Sequence, residues 1–202
     1  MDAGMKSNAG TEQKEQKVIA VCGVKNSGKT MLLLKLVRAF SDRGLKTAVI
    51  KHDGHDFSCD IPGTDSFKLK EAGAYGTAVY SKERVFVHRT GTGEGAEQLI
   101  AMFPEADVIF LEGLKGSGYP KIEVIREGVS EEPVSDPAGR FLIVTDREPS
   151  AYAEETAGFD DIGKIAERIM KAAIRPAGKQ GKERIWNETD EDNRGRWAGA
   201  LS

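Results

Sequence analysis

A chain of 202 residues with 39% hydrophobic and 30% charged side chains suits one globular domain with polar ends. Its net charge of −3 and scattered basic residues offer no electrostatic footprint for nucleic acid, so no nucleic-acid partner is expected. Two cysteines, Cys22 and Cys59, make neither a disulfide scaffold nor a C-x-x-C site, and no apolar run is long enough to span a bilayer.

Residues 1–17 read as a flexible polar leader without the apolar centre of a signal peptide, so cytoplasmic residence is the default expectation and no membrane partner is expected. Val18 to Cys22 reads as a buried strand, and Cys22 there as a small hydrophobe. Then comes Gly23-Val24-Lys25-Asn26-Ser27-Gly28-Lys29-Thr30, followed by an apolar-rich helix from Met31 to Phe40. A G-x-x-x-x-G-K-[ST] run between a strand and a helix start is a phosphate-binding loop in its confirming context. Its glycines let the backbone bend tightly and turn N–H groups toward phosphate oxygens, and the helix aims its positive dipole end at the same anion. Lys29 can reach the β- and γ-phosphates, and the Thr30 hydroxyl can hold a Mg²⁺ ion. Nucleotide binding follows. Lys25, in the same loop, reads as a solvated cation.

Gly44 is placed to end the first helix, and Lys46 to Ile50 reads as a second strand. After a polar loop from Lys51 to Thr64, either Thr64 or Asp65 can cap a short helix that runs through Glu71 and stops at Gly73. Thr77–Ser81 and Arg84–Arg89 read as short strands, Gly93–Phe103 as a helix, and Val108–Leu111 as another buried strand. Lys121 to Arg126 alternates polar and apolar side chains, as a half-exposed strand does. Phe141–Val144 is again buried. Ile162, Ile165, Ala166, Ile169, Met170 and Ala173 form one apolar helix face. This alternation predicts a three-layer α/β domain of the P-loop NTPase type over residues 18–175, with a mostly parallel sheet. Residues 176–202 read as a charged, flexible tail whose Trp186 and Trp197 could dock it.

In doubly wound sheets the ligand sits beyond the carboxyl ends of the strands. Asp107 precedes its strand and belongs at the far end. Glu112 follows Leu111 at the active end and is the candidate to bind Mg²⁺ or polarise a water. The Lys51–Ser66 loop also leaves the active end. Its His52, His55, Asp60 and Asp65 can meet a metal, a proton or a second substrate, or the loop's polar groups can simply bond its own backbone.

Several blocks occur in this order in one family: the Gly23–Thr30 loop, Lys51-His52 through Asp60-x-Pro62-Gly63-x-Asp65-Ser66, Lys70-Glu71-Ala72-Gly73-Ala74, Leu111-Glu112-Gly113-Leu114-Lys115, and Pro120-Lys121-Ile122-Glu123-Val124. From Val18 to about Ala173 the chain resembles the molybdopterin-guanine dinucleotide biosynthesis protein B (MobB) family. The resemblance implies a dimeric GTP-binding accessory protein of molybdenum cofactor maturation. It implies a weak GTPase that assists the guanylyltransferase MobA in converting molybdopterin to molybdopterin guanine dinucleotide. By motif position, Gly23–Thr30 would hold the GTP phosphates, with Thr30, Glu112 and Asp60 on the magnesium side. His52, His55, Asp60 and Asp65 would line the place where γ-phosphate, molybdopterin or partner meets the nucleotide.

Guanine is less legible than phosphate, since no N-K-x-D run is present. Asp146, at the end of the Val144-Thr145 strand, is the candidate to accept hydrogen bonds from guanine. Arg84, Arg89, Arg126, Arg140 and Arg147 are dispersed, without the arginine-rich lid of a small-molecule kinase, and slow hydrolysis is expected. The kinase is one alternative. A metallochaperone GTPase using His52, His55 and Cys59 is another, and a non-catalytic adaptor a third.

Overall fold

The computed structural model of the chain describes residues 16–53, 57–90 and 95–172. The leader before Gln16, His55, and the tail with Trp186 and Trp197 lie outside these residues. The strands are β1 (Lys17–Cys22), β2 (Thr47–Lys51), β3 (Gly76–Tyr80), β4 (Val85–Arg89), β5 (Val108–Glu112), β6 (Lys121–Ile125), β7 (Arg140–Thr145) and β8 (Thr156–Ala157). The helices are α1 (Lys29–Ser41), α2 (Asp65–Glu71), α3 (Ala96–Ile100) and α4 (Ile162–Lys171). Six strands form one sheet in the order β2-β5-β1-β6-β7-β8. Every neighbouring pair in it is parallel. Strands β3 and β4 form a separate antiparallel hairpin. The expected α/β architecture is present.

The first covering layer is α1 and α4. Leu32, Leu33, Leu36 and Phe40 of α1 and Ile165, Ala166 and Ile169 of α4 pack on Ile19, Val21, Val108, Phe110, Ile122, Val124, Leu142 and Val144. The second layer is thinner. Ala20, Cys22, Ile109 and Leu111 on the opposite face pack with Tyr119 and with Ala96, Leu99 and Ile100 of α3. Each central strand is therefore covered on both faces, which is why β5 is buried along its whole length.

Several readings change. Strand β6 is wholly buried, not half-exposed. It runs between β1 and β7, where Lys121 Nζ donates to Ala138 O and Glu123 Oε1 accepts from Val134 N at 2.9 Å, while Glu123 Oε2 is buried without a partner among the described residues. Helix α3 is shorter than Gly93–Phe103, and the short strand β8 was not anticipated. Met170 is 41% exposed and leaves the apolar face of α4, while Ala173 lies outside the described residues. At the start of the domain, β1 takes in Lys17, and the Gln16 amide donates to Phe103 O and Ala106 O.

Gly44 does turn the chain after α1, with φ +74° and Leu45 N bonded to Phe40 O. Thr64, not Asp65, caps α2, its hydroxyl accepting from Phe67 N. Among the described residues, no helix is long and apolar enough to cross a membrane.

Candidate functional site

Because the sheet is parallel, Cys22, Lys51, Glu112, Ile125 and Thr145 all end on one edge. The Gly23–Thr30 loop leaves the middle of that edge. Its shape requires glycine. Gly23 has φ +140°, and a Cβ there would sit 2.5 Å from Val124 O and 2.7 Å from Ser27 Oγ. Gly28 has φ +99° immediately before α1, and Asn26 adopts φ +64°. Ser27 is fully buried, and its hydroxyl has no partner among the described residues. A buried unpaired hydroxyl costs free energy unless something bonds it. The loop is thus a concave backbone cradle with a polar atom to spare.

Lys29 lies within the cradle it follows. Its ammonium donates to Gly23 O at 3.0 Å and to Val24 O at 2.6 Å. Burial holds its pKa below the ordinary lysine value, opposed by the nearby carboxylates Glu112 and Glu123. An incoming anion would relieve that desolvation by pairing with the charge.

Thr30 and Glu112 meet. The Thr30 hydroxyl donates to Glu112 Oε1 at 3.1 Å, and Glu112 is only 9% exposed. Two oxygen donors at the mouth of the loop are the chemistry that a hard cation such as Mg²⁺ requires, so the residues present fit the ion. Asp107 sits at the opposite end, where its side chain accepts from Lys46 N at 2.7 Å.

The Lys51–Ser66 loop divides. His52 stays beside the site, its backbone N–H bonded to Glu112 O at 3.1 Å. Asp60 instead organises its own loop. Its Oδ1 accepts from Ile61 N at 2.9 Å, Ser66 Oγ at 3.1 Å and Thr64 Oγ1 at 3.3 Å, while Oδ2 is buried without a partner among the described residues. Asp65 points to solvent and pairs with Lys68 at 3.4 Å. Local bonding therefore accounts for most of what Asp60 and Asp65 do here. Asp146 follows β7 on the active edge, and its Oδ1 accepts from Glu127 N at 2.7 Å.

Two residues at this edge are not assigned to the site by the sequence, in which Arg126 reads only as one of several dispersed arginines. Arg126 follows β6, and its Nε donates to Ser27 O at 3.3 Å. Its guanidinium covers the Phe159 ring at 4.4 Å. The end-of-strand rule that selected Glu112 also selects Arg126, whereas Phe159 follows a strand that carries no sequence signal. Behind the loop, Cys22 is buried and donates to Gly113 O at 3.2 Å. Burial, then the charge of Glu123, pushes its thiol pKa up to about 12.

Residues 18–146 match the family model of Molybdopterin guanine dinucleotide synthesis protein B, MobB. The chain belongs to the MobB family. It is 36% identical over 122 residues to the molybdopterin-guanine dinucleotide biosynthesis adapter protein of Escherichia coli, covering 57% of this chain and 69% of that one. To the adapter protein of Haemophilus influenzae it is 28% identical over 155 residues, covering 75% and 86%. Two solved MobB structures share the fold. The Bacillus subtilis MobB structure superposes with a TM-score of 0.63 at 21% identity, over 79% of this chain and 99% of that one. The MobB homologue of Bacillus stearothermophilus gives 0.59 at 22% identity, over 76% and 98%. The matched region holds the Gly23–Thr30 loop, Glu112, Arg126 and Asp146. Phe159 lies beyond it.

Proposed function

We propose that this MobB-family chain binds GTP with Mg²⁺, hydrolyses it slowly, and acts as an accessory protein in converting molybdopterin to molybdopterin guanine dinucleotide. The observation that carries nucleotide binding is the junction of Thr30 and Glu112 at 3.1 Å over a glycine-shaped loop that contains Lys29. Backbone N–H groups of the loop and the start of α1 hold the phosphates, and Lys29 supplies the charge at β and γ. Thr30 and Glu112 would hold Mg²⁺, which when bound neutralises the phosphate oxygens. Glu112 is also placed to orient a water.

The similarity to molybdopterin-guanine dinucleotide biosynthesis adapter proteins supports the place in cofactor maturation. The proposed partner is a MobA-type guanylyltransferase. The proposed molybdopterin contact is on the His52 side of the site. A homodimer is proposed as well. The β3–β4 hairpin leaves Tyr80 84%, Val85 72% and Val87 64% exposed, and Val85 and Val87 share one face. A two-stranded hairpin with such an exposed face gains stability from a partner surface.

Calorimetric titration with Mg-GTP and Mg-ATP, followed by a purified MobA-type guanylyltransferase, tests the reading. Selective GTP binding with complex formation is the expected result. Equal ATP binding without complex formation would return the chain to the kinase alternative. Stoichiometric tight nickel or zinc binding would favour the metallochaperone; among the described residues no group of three or more His, Cys, Asp or Glu side chains is placed to hold such an ion.

A further inference from the structure

Two side chains flank the Gly23–Thr30 loop on the side away from Glu112, and the phosphate chemistry uses neither. Arg126 follows β6 and Phe159 follows β8. The Arg126 Cζ lies 4.4 Å from the Phe159 ring centroid, and Nε donates to Ser27 O at 3.3 Å. The pair touches the loop at Gly28. A Cβ on Gly28 would meet Arg126 Nη2 at 3.0 Å, Arg126 Nε at 3.4 Å and Phe159 Cε1 at 3.3 Å.

The ring is fixed from behind. Phe159 packs against the main core, and Lys35 Nζ donates to Phe159 O at 3.3 Å and to Asp160 Oδ1 at 2.6 Å. Arg126 itself is half-buried, with its guanidinium carbon over the Phe159 ring. A planar, weakly hydrated guanidinium held this way is suited to stacking.

Strand order decides what can lie over it. The flank of β1 toward β5 is occupied by Glu112 and His52. A nucleotide with its terminal phosphates at Lys29 and Thr30 therefore leads its nucleoside over the ends of β6, β7 and β8. Asp146 stands on that same side, its carboxylate tying the end of β7 to Glu127 beyond β6.

We propose that Arg126, backed by Phe159, is the platform on which the purine nucleoside of the bound nucleotide rests. The inference depends on the nucleotide-binding reading given above and adds the residues that hold its organic half. Arg126 is the contact residue, and Phe159 is a positioning residue that acts through it.

The test uses the full chain and two ligands, Mg-GTP and Mg-tripolyphosphate, which share phosphates but not a nucleoside. Dissociation constants are measured for the wild type, Arg126→Ala, Arg126→Lys and Phe159→Leu, each checked by thermal denaturation. Arg126→Ala and Phe159→Leu should weaken Mg-GTP by about tenfold while changing tripolyphosphate less than about twofold. Arg126→Lys keeps the charge, loses the plane, and should behave like Arg126→Ala. Equal losses for both ligands would make Arg126 a phosphate contact or scaffold and overturn the platform. Unchanged GTP binding would overturn it too. A wild type that binds Mg-GTP no more tightly than the Arg126 variants removes the platform alone, whereas a wild type that fails to bind Mg-GTP removes the nucleotide reading itself.

Discussion

The hydroxyl of Thr30 donates to the carboxylate of Glu112 across 3.1 Å, joining the first turn of α1 to the end of a strand 82 positions away. The bond gathers two oxygen donors where a nucleotide's metal belongs. Their roles differ from that of Lys29, which offers charge to phosphate. Glu112→Gln should lower GTP hydrolysis about tenfold or more while changing GTP affinity less than about threefold. Lys29→Ala should instead weaken GTP affinity by about 10- to 100-fold, the worth of charge-assisted hydrogen bonds. Single-turnover hydrolysis beside calorimetry separates the two. Equal loss of binding and turnover in Glu112→Gln would make that residue structural.

The loop's shape predicts an asymmetry between two glycines with positive φ. A Cβ on Gly44 meets nothing within 4 Å, so Gly44→Ala should cost only about 1 kcal/mol of left-handed strain. At Gly23 the same carbon would lie 2.5 Å from the backbone oxygen of Val124, which cannot rotate away. Gly23→Ala should therefore cost about 3 kcal/mol or more, or displace the loop from β6. Urea unfolding compares them directly, and similar costs would contradict the packing argument.

Cys22 and Cys59 should differ sharply toward a thiol reagent. Cys59 is exposed, while Cys22 is buried with its thiol pKa pushed up to about 12. At pH 8 one thiol should react promptly and the second only on unfolding. Stability follows the same linkage. Between pH 9 and about 12 the unfolded thiol loses its proton and the folded one keeps it, so this group's contribution falls as pH rises. Lys29 and Lys121, held below the ordinary lysine value by burial, act in the opposite direction. Cys22→Ala should accordingly flatten the loss of stability between pH 8 and pH 10.5, as read by urea unfolding at several pH values.

Asp146 carries the question of which base is bound. Its carboxylate already accepts from Glu127 N through Oδ1, which orients the group at the end of β7. Asp146→Ala should reduce the preference for GTP over ATP by about tenfold and leave tripolyphosphate binding unchanged. An unaltered GTP-to-ATP ratio would remove Asp146 from base selection.

The hairpin gives a test of assembly. Val87 is 64% exposed on the face that also carries Val85. Val87→Asp should shift a dimer to a monomer in sedimentation while leaving the melting of the main domain within a few degrees. A wild type that sediments as a monomer at micromolar concentration would refute the dimer.

The local features of this protein were legible in its sequence. Strand β1, the glycine loop and α1 follow from an apolar run, positive-φ glycines and helical periodicity, all of which act between residues close in the chain. Glu112 could be chosen because a strand's end is visible before the sheet is known. Strand β6 could not be read correctly. Alternating Lys121 and Glu123 imply a solvated face, but Ala138 O and Val134 N reach them inside the protein. Polarity reveals that a side chain needs a partner, and only the fold decides whether water supplies it. The same holds for Thr30 with Glu112 and for Arg126 with Phe159. Those meetings depend on which strands lie beside β1, and that order is set by long-range packing rather than by any local pattern.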